Sequence, residues 1–170
     1  MEAFRLIRTR WGWFTVVARG RKLAGTRLPV KRKGDALAEA RRAFPEAEYD
    51  DQILPVLSAA VTQYFAGYPA LFRATLDLAG FTDFQRKIIR AARRIAYGQV
   101  CSYGDLAKRI GHAGAARAVG SAMRHNRFPL VVPCHRVVAS GGRLGGFSSP
   151  GGTAEKHALL ALEGGVGALL

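Results

Sequence analysis

The octapeptide Val131-Val132-Pro133-Cys134-His135-Arg136-Val137-Val138 constrains this chain more than any other stretch. Valine pairs on either side favour buried extended backbone, and Pro133 pushes Val132 away from helical angles. Cys134 is thus expected where a packed, rigid segment turns. Its thiol has two readings. Most unpaired cysteines are small buried hydrophobes, whereas a thiolate stabilised by an imidazole and a guanidinium attacks soft electrophiles. On extended backbone successive side chains point to opposite sides, so His135 is expected to reach the sulfur only through a water.

The charge balance narrows the partner. Lys+Arg 26 against Asp+Glu 12 gives +14, an excess that fits a polyanion, nucleic acid ahead of an anionic membrane surface. With 170 residues, 49% of them hydrophobic and 22% charged, the chain is globular and holds one domain or two small ones. Cys101 and Cys134 are too few for a disulfide scaffold, and no cysteine–histidine spacing matches a zinc site, so neither metal nor cofactor is expected. Met1-Glu2-Ala3-Phe4-Arg5 has no signal-peptide core and no apolar run is long enough to span a bilayer. The expected setting is the reduced cytoplasm, associated with the nucleoid, where a thiol stays available.

Aromatic and β-branched residues at Phe4–Leu6 and Trp11–Val17, a turn at Gly20-Arg21-Lys22, and the run Leu23–Val30 predict a small antiparallel sheet. The basic run Lys31-Arg32-Lys33 reads as a solvated loop or a nucleic-acid contact. A short helix is expected over Ala36–Ala43, ending near Pro45, and a second over Ile53–Phe65 with Ile53, Leu57, Val61, Tyr64 and Phe65 on one face. Gly67, Pro69 and Phe72–Leu78 read as a linking loop, which places a domain boundary between residues 78 and 79.

After Gly80 the pattern turns helical. Thr82 and Gln85 form a capping box, Phe84, Ile88, Ala91, Ala92 and Ile95 make an apolar stripe, and Gly98 is read as the stop. Arg86, Lys87, Arg90, Arg93 and Arg94 occupy the other positions. Ser102 with Asp105 repeats the capping logic for a helix ended by Gly111, and His112-Ala113-Gly114 turns into a second helix, Ala115–Arg124. Two short helices joined by a glycine turn on a basic chain suggest a helix-turn-helix. The second carries alanine, glycine and serine where a major-groove reader carries long polar side chains. That suits either an alanine-rich packing helix or a close backbone approach in the minor groove.

From about Thr62 to Glu163 the chain resembles the O6-alkylguanine-DNA alkyltransferases, the methylated-DNA–protein-cysteine methyltransferases. Pro133-Cys134-His135-Arg136-Val137 matches their active-site signature. Phe84-Gln85, Tyr97-Gly98, Ser102-Tyr103, Leu106-Ala107, Ala116-Arg117-Ala118-Val119-Gly120, Met123-Arg124 and Asn126 follow in the family's order and spacing. The amino-terminal segment matches only in kind. The fold so implied is α+β: a small RNase-H-like antiparallel sheet domain over 1–78, then a mainly helical, winged-helix-like domain with a helix-turn-helix over 79–170.

The resemblance implies a monomer that repairs double-stranded DNA by taking an alkyl group from O6 of guanine, and from O4 of thymine, onto Cys134, once and irreversibly. His135 would take the thiol proton through a water, Glu163 would orient the imidazole, and Asn126 would be the hinge before the active-site segment. Arg117 would fill the space left by the flipped nucleotide, and Tyr103 would press on the neighbouring phosphate and bond the guanine. Ala116, Ala118, Gly120, Ser121 and Arg124 would complete the DNA-facing helix. Met123, Val137, Phe147 and Ser148 would join Tyr103 around the base, with the carbonyls of Cys134 and Val137 accepting from the guanine amino group and the Ser148 amide facing O6. Phe147 stands where many members have tyrosine, Ser148–Gly152 is one residue longer than the common turn, and Ala96 replaces a frequent proline. Glu163 is expected at the end of a helix that Thr153 caps and Leu159, Leu160 and Leu162 anchor; its alternative is a surface carboxylate. Three rivals remain: an alkyltransferase-like damage sensor, which lacks the cysteine; a helix-turn-helix regulator; and a cysteine hydrolase, which needs a remote histidine from among His112, His125 and His157.

Overall fold

The computed structural model describes residues 1–164; the last residues of the expected carboxy-terminal domain, 165–170, lie outside the described residues. Chain contacts divide the protein into two compact units, Met1–Leu78 and the remainder from Ala79.

In the first unit β1 (Glu2–Thr9), β2 (Gly12–Arg19) and β3 (Lys22–Val30) form an antiparallel meander. Helix α1 (Lys33–Ala43) follows, then β4 (Glu48–Tyr49) and α2 (Pro55–Phe65). β4 pairs parallel to β1, giving the order β3-β2-β1-β4, so the sheet is not wholly antiparallel; a two-residue strand carries no alternation that a sequence pattern reveals. One face buries Phe4, Leu6 and Val17 against Ala36 and Ala40 of α1. On the other, Phe14 meets Phe65 of α2 at 6.0 Å. Cover on both faces explains why Phe14–Ala18 is buried without alternation.

Local chemistry shifts some boundaries. Lys33 opens α1 instead of ending a loop, and Arg32 pairs with Asp35 at 2.9 Å. α2 starts two residues later than expected, because Leu54 sits in left-handed backbone (φ 47) and Pro55 takes the first helical turn, where its missing N–H costs nothing. Thr75–Asp77, expected as loop, extends the sheet: Leu23 N donates to Thr75 O at 2.8 Å and Asp77 N to Leu23 O at 2.7 Å.

The second unit opens with α3 (Asp83–Ala92), whose capping box is complete: Gln85 N donates to Thr82 Oγ1 and Thr82 N to Gln85 Oε1. It ends at Ala92, earlier than Gly98. β5 (Cys101–Ser102) leads into α4 (Tyr103–Arg109), capped by Ser102, which accepts from Asp105 N. Gly111 (φ 78) turns the chain, and α5 (Ala116–Arg124) completes the helix pair. Cys134–Arg136 form a single 3-10 turn, and β6 (Val137–Val138) pairs parallel with β5. α6 (Gly152–Leu162) closes the unit with Leu159 and Leu160 fully buried. Its amino-terminal flank is Gly151 with no side-chain cap, so Thr153 lies inside the first turn and does not cap the helix. Among the described residues no helix is long and apolar enough to cross a membrane.

Candidate active site

Cys134 does not lie on extended backbone. Its own 3-10 turn follows a tight connection in which Val132 N donates to Phe128 O at 2.8 Å and Cys134 N to Val132 O at 2.8 Å. Asn126 staples this connection: Nδ2 donates to Val132 O at 2.8 Å, and Oδ1 accepts from Phe128 N at 3.0 Å. Within it Leu130 is held at φ 77, a left-handed conformation costing about 1–3 kcal/mol for a bulky residue. Asn126 is therefore a lock on the segment carrying the thiol.

The thiol forms part of the wall of a concavity of about 580 Å3 built wholly within the second unit. α5 contributes Ala116, Arg117, Gly120, Ser121, Met123 and Arg124; α4 contributes Tyr103; Phe147 and Ser148 close the far side. Ala118 is not among the lining residues. Tyr103 is gripped from two sides by glycines. A Cβ on Gly120 would lie 3.8 Å from its ring, and one on Gly145, in left-handed backbone (φ 71), only 3.0 Å away. Ser148 Oγ donates to Arg124 O at 2.6 Å, tying the Phe147–Ser148 loop to the end of α5.

The two residues after Cys134 belong to a buried polar cluster. His135 Nε2 is 2.7 Å from Glu163 Oε1. Arg136 forks the same carboxylate, with Nε 2.9 Å from Oε2 and Nη2 3.0 Å from Oε1, and its Nη1 donates to Ile95 O at 2.7 Å. Gly98 N adds a bond to Glu163 Oε2 at 3.1 Å. Gly98 thus serves the carboxylate instead of stopping α3: its φ is 75, and a Cβ there would approach Glu163 O to 3.1 Å. Glu163 is not on the surface, being 6% exposed.

Lys156, on α6 about two turns before Glu163, which ends that helix, has no signal in the sequence pattern. It is fully buried, and its Nζ donates to Val137 O at 2.6 Å, with Tyr103 Oη and Gly146 O each at 3.4 Å. It also lies 5.6 Å from the Tyr103 ring centre and 6.0 Å from that of Phe147. The Val137 carbonyl already accepts this bond, and that of Cys134 accepts from Val137 N. Both carbonyls thus already have a protein donor, and Val137 itself is fully buried and not among the residues lining the concavity. Lys156 shares the buried face of α6 with Leu159 and Leu160, three and four residues on, and no local signal singles it out.

Electrostatics follow from this burial. Desolvation pushes the Cys134 thiol up, opposed by the Asn126 hydrogen bond and the nearby Lys156 cation. Burial holds the His135 imidazole below its usual range, against the pull of Glu163. The same desolvation lowers Lys156 to about 8. At neutral pH the site therefore rests as thiol, neutral imidazole and ammonium. His112 packs edge-on to Phe84 at 5.2 Å and His125 Nδ1 meets Ser121 O at 2.8 Å, so their rings are engaged elsewhere.

A helix-turn-helix unit that houses a buried thiol, backed by an imidazole–carboxylate pair, defines the class of protein. The family model described as "6-O-methylguanine DNA methyltransferase, DNA binding domain" matches residues 83–165. Methylated-DNA–protein-cysteine methyltransferases of Mycolicibacterium paratuberculosis and Mycobacterium tuberculosis are 51% identical over 100 residues and 50% over 109, segments covering 59% and 62% of this chain and 59% and 64% of theirs. The matched segment thus spans less than two thirds of either relative. Structural likeness is broader. The crystal structure of M. tuberculosis O6-methylguanine methyltransferase superposes with TM-score 0.77 and 36% identity over 96% of this chain and 93% of that one. The crystal structure of M. tuberculosis OGT in complex with DNA gives 0.79 and 36% over 95% of this chain and 92% of that one. The chain belongs to the O6-alkylguanine-DNA alkyltransferase family.

Proposed function

We propose that this protein repairs DNA by moving an alkyl group from O6 of guanine, and from O4 of thymine, onto Cys134, once per molecule. The observation that carries the reading is the placement of Cys134 in the wall of the concavity formed with α5, the next residue, His135, being paired with the buried Glu163 carboxylate. An alkyl carbon on a nucleobase oxygen is a soft electrophile, and a thiolate is the protein nucleophile best suited to it. Because O6 is paired inside a duplex, the nucleotide turns out of the stack into the pocket, and a damaged, weakly paired base turns out at least cost.

Glu163 accepts the Nε2 proton of His135, fixing the tautomer so that Nδ1 is the basic nitrogen. The buried thiol stays protonated until substrate arrives; its proton then passes through a water to Nδ1 as sulfur attacks. The S–C bond forms, the C–O6 bond breaks, the electron pair goes to the base, and the restored guanine takes up one proton at N1. Lys156 holds positive potential beside the developing thiolate and presents Tyr103 to the base. Arg117 occupies the stack after the nucleotide leaves. No step in this scheme returns the thioether to the thiol, so turnover stops at one.

Mass spectrometry after mixing the protein with excess duplex containing O6-methylguanine tests this. One methyl group on the peptide carrying Cys134, and none further, is the expected result. Label on Cys101, turnover beyond one equivalent, or tight binding without transfer sinks it, the last outcome being that of a damage sensor.

A further inference from the structure

The first unit carries a basic, aromatic concavity that the alkyl-transfer reading does not use. It lies at the β1–β2 hairpin tip and encloses about 450 Å3 between Arg8, Arg10, Trp11, Trp13 and Lys31. The tip is fixed: Thr9 Oγ1 donates to Gly12 O at 2.8 Å and accepts from Trp11 N at 3.1 Å. Trp11 packs on Phe65 at 5.3 Å, and Lys33 lies 5.1 Å above the Trp13 ring. Gly12 lets the end of β3 close on the hairpin. At φ 124 it leaves a space in which a Cβ would stand 2.3 Å from Val30 O, and this approach brings Lys31 beside the arginines. No carboxylate lines the concavity. Among the described residues Arg8, Arg10 and Lys31 are exposed and enter no ion pair.

Three unpaired cations on a rigid frame repel one another, and the fold spends no neighbouring acid to relieve them. An anion with several charges at fixed spacing does so. We infer that this hairpin-tip cluster is a second nucleic-acid contact, gripping the phosphate backbone without reading bases. Trp11 packs at a tilt of 52° on Phe65 and Lys33 lies over Trp13, so stacking on unpaired bases is disfavoured and duplex backbone is the favoured ligand. The inference rests on the DNA reading above, and it gives the amino-terminal unit a share of the binding.

Trp11 and Trp13 are the chain's two tryptophans, so intrinsic tryptophan emission reports from this site. Titrating the full protein with an undamaged duplex should change that emission in step with binding. The triple variant Arg8→Ala, Arg10→Ala, Lys31→Ala, its fold checked by thermal unfolding, should show a log-affinity against log-salt slope flatter by about 2–3, at about 0.9 per lost phosphate contact. Emission unchanged at saturation, a triple variant with the wild-type slope, or a response to anionic phospholipid vesicles and not to duplex overturns the inference. If the wild-type protein binds no duplex, damaged or intact, the alkyl-DNA reading falls as well. Binding that the triple variant fully retains removes the hairpin contact alone.

Discussion

His135 and Arg136 are consecutive in the chain, yet both side chains converge on one carboxylate, with Glu163 Oε1 2.7 Å from the imidazole and 3.0 Å from the guanidinium. The 3-10 turn makes this possible, since extended backbone would send them to opposite sides. The anion that orients the imidazole is also the counter-ion of a buried arginine, so structure and chemistry share one group.

Glu163→Gln therefore damages both. Without the anion Arg136 is left buried and uncompensated, at a cost of about 3–5 kcal/mol, readable in urea denaturation. Single-turnover transfer at saturating DNA should slow at least about tenfold, the scale of a weakened general base, while DNA affinity hardly changes. Glu163→Asp keeps the charge but shortens the reach; it should recover more stability than rate. A wild-type rate in a folded Glu163→Gln variant would leave His135 without a proposed partner.

Lys156 carries a pH signature. Its folded-state value of about 8 lies below the ordinary 10.5, so between those values the unfolded chain binds more protons and this residue's contribution to stability rises with pH. Below about 8 both states are protonated and the burial cost is fully felt. Lys156→Met should flatten the stability profile across that window by roughly 2–4 kcal/mol, at about 1.4 per pKa unit. Losing the cation should also push the Cys134 thiol further up and slow transfer at neutral pH. A thiol titration unmoved by the substitution would separate Lys156 from the chemistry.

How legible the site was in the sequence depended on chain distance. The Thr82–Gln85 box and the Ser102 cap involve residues three apart, and both formed as read. The Val137 and Val138 run became a strand only by pairing with Cys101 and Ser102, a partner that no local pattern names. Gly98 looked like a helix stop because a glycine after an apolar stripe usually is one; its real neighbour, Glu163, is 65 residues away. Glu163 itself was named through family likeness, whereas the Arg136 fork and the buried Lys156 depend on tertiary packing that overrides the usual exposure of long cations.

Gly145 and Gly141 offer a matched pair. Both have left-handed backbone, at φ 71 and φ 75, but a Cβ on Gly141 meets nothing within 4 Å, whereas one on Gly145 presses on Tyr103. Alanine at either site should carry the same conformational penalty of about 1–2 kcal/mol. Only Gly145→Ala should also slow transfer, by moving Tyr103 within the pocket. Equal transfer rates in the two variants would show that the position of this ring does not matter.

Arg117 is exposed, lies in the first turn of α5 and shares the pocket rim with Ala116 and Gly120. On the proposed function its small neighbours would let the helix approach the duplex, and the arginine, the one long side chain in that turn, would enter the stack. Turning out a nucleotide costs a few kcal/mol of stacking and pairing, which an inserted side chain partly recovers. On the proposed function free O6-benzylguanine needs no such help, since it would enter the pocket without leaving a stack. Arg117→Ala should therefore slow repair of duplex by at least about tenfold, the equivalent of about 1.4 kcal/mol, and leave reaction with the free base near wild type. Single-turnover rates on both substrates give the comparison. An equal loss on both would place Arg117 in the pocket's chemistry, and no loss on either would return it to a solvated helix face.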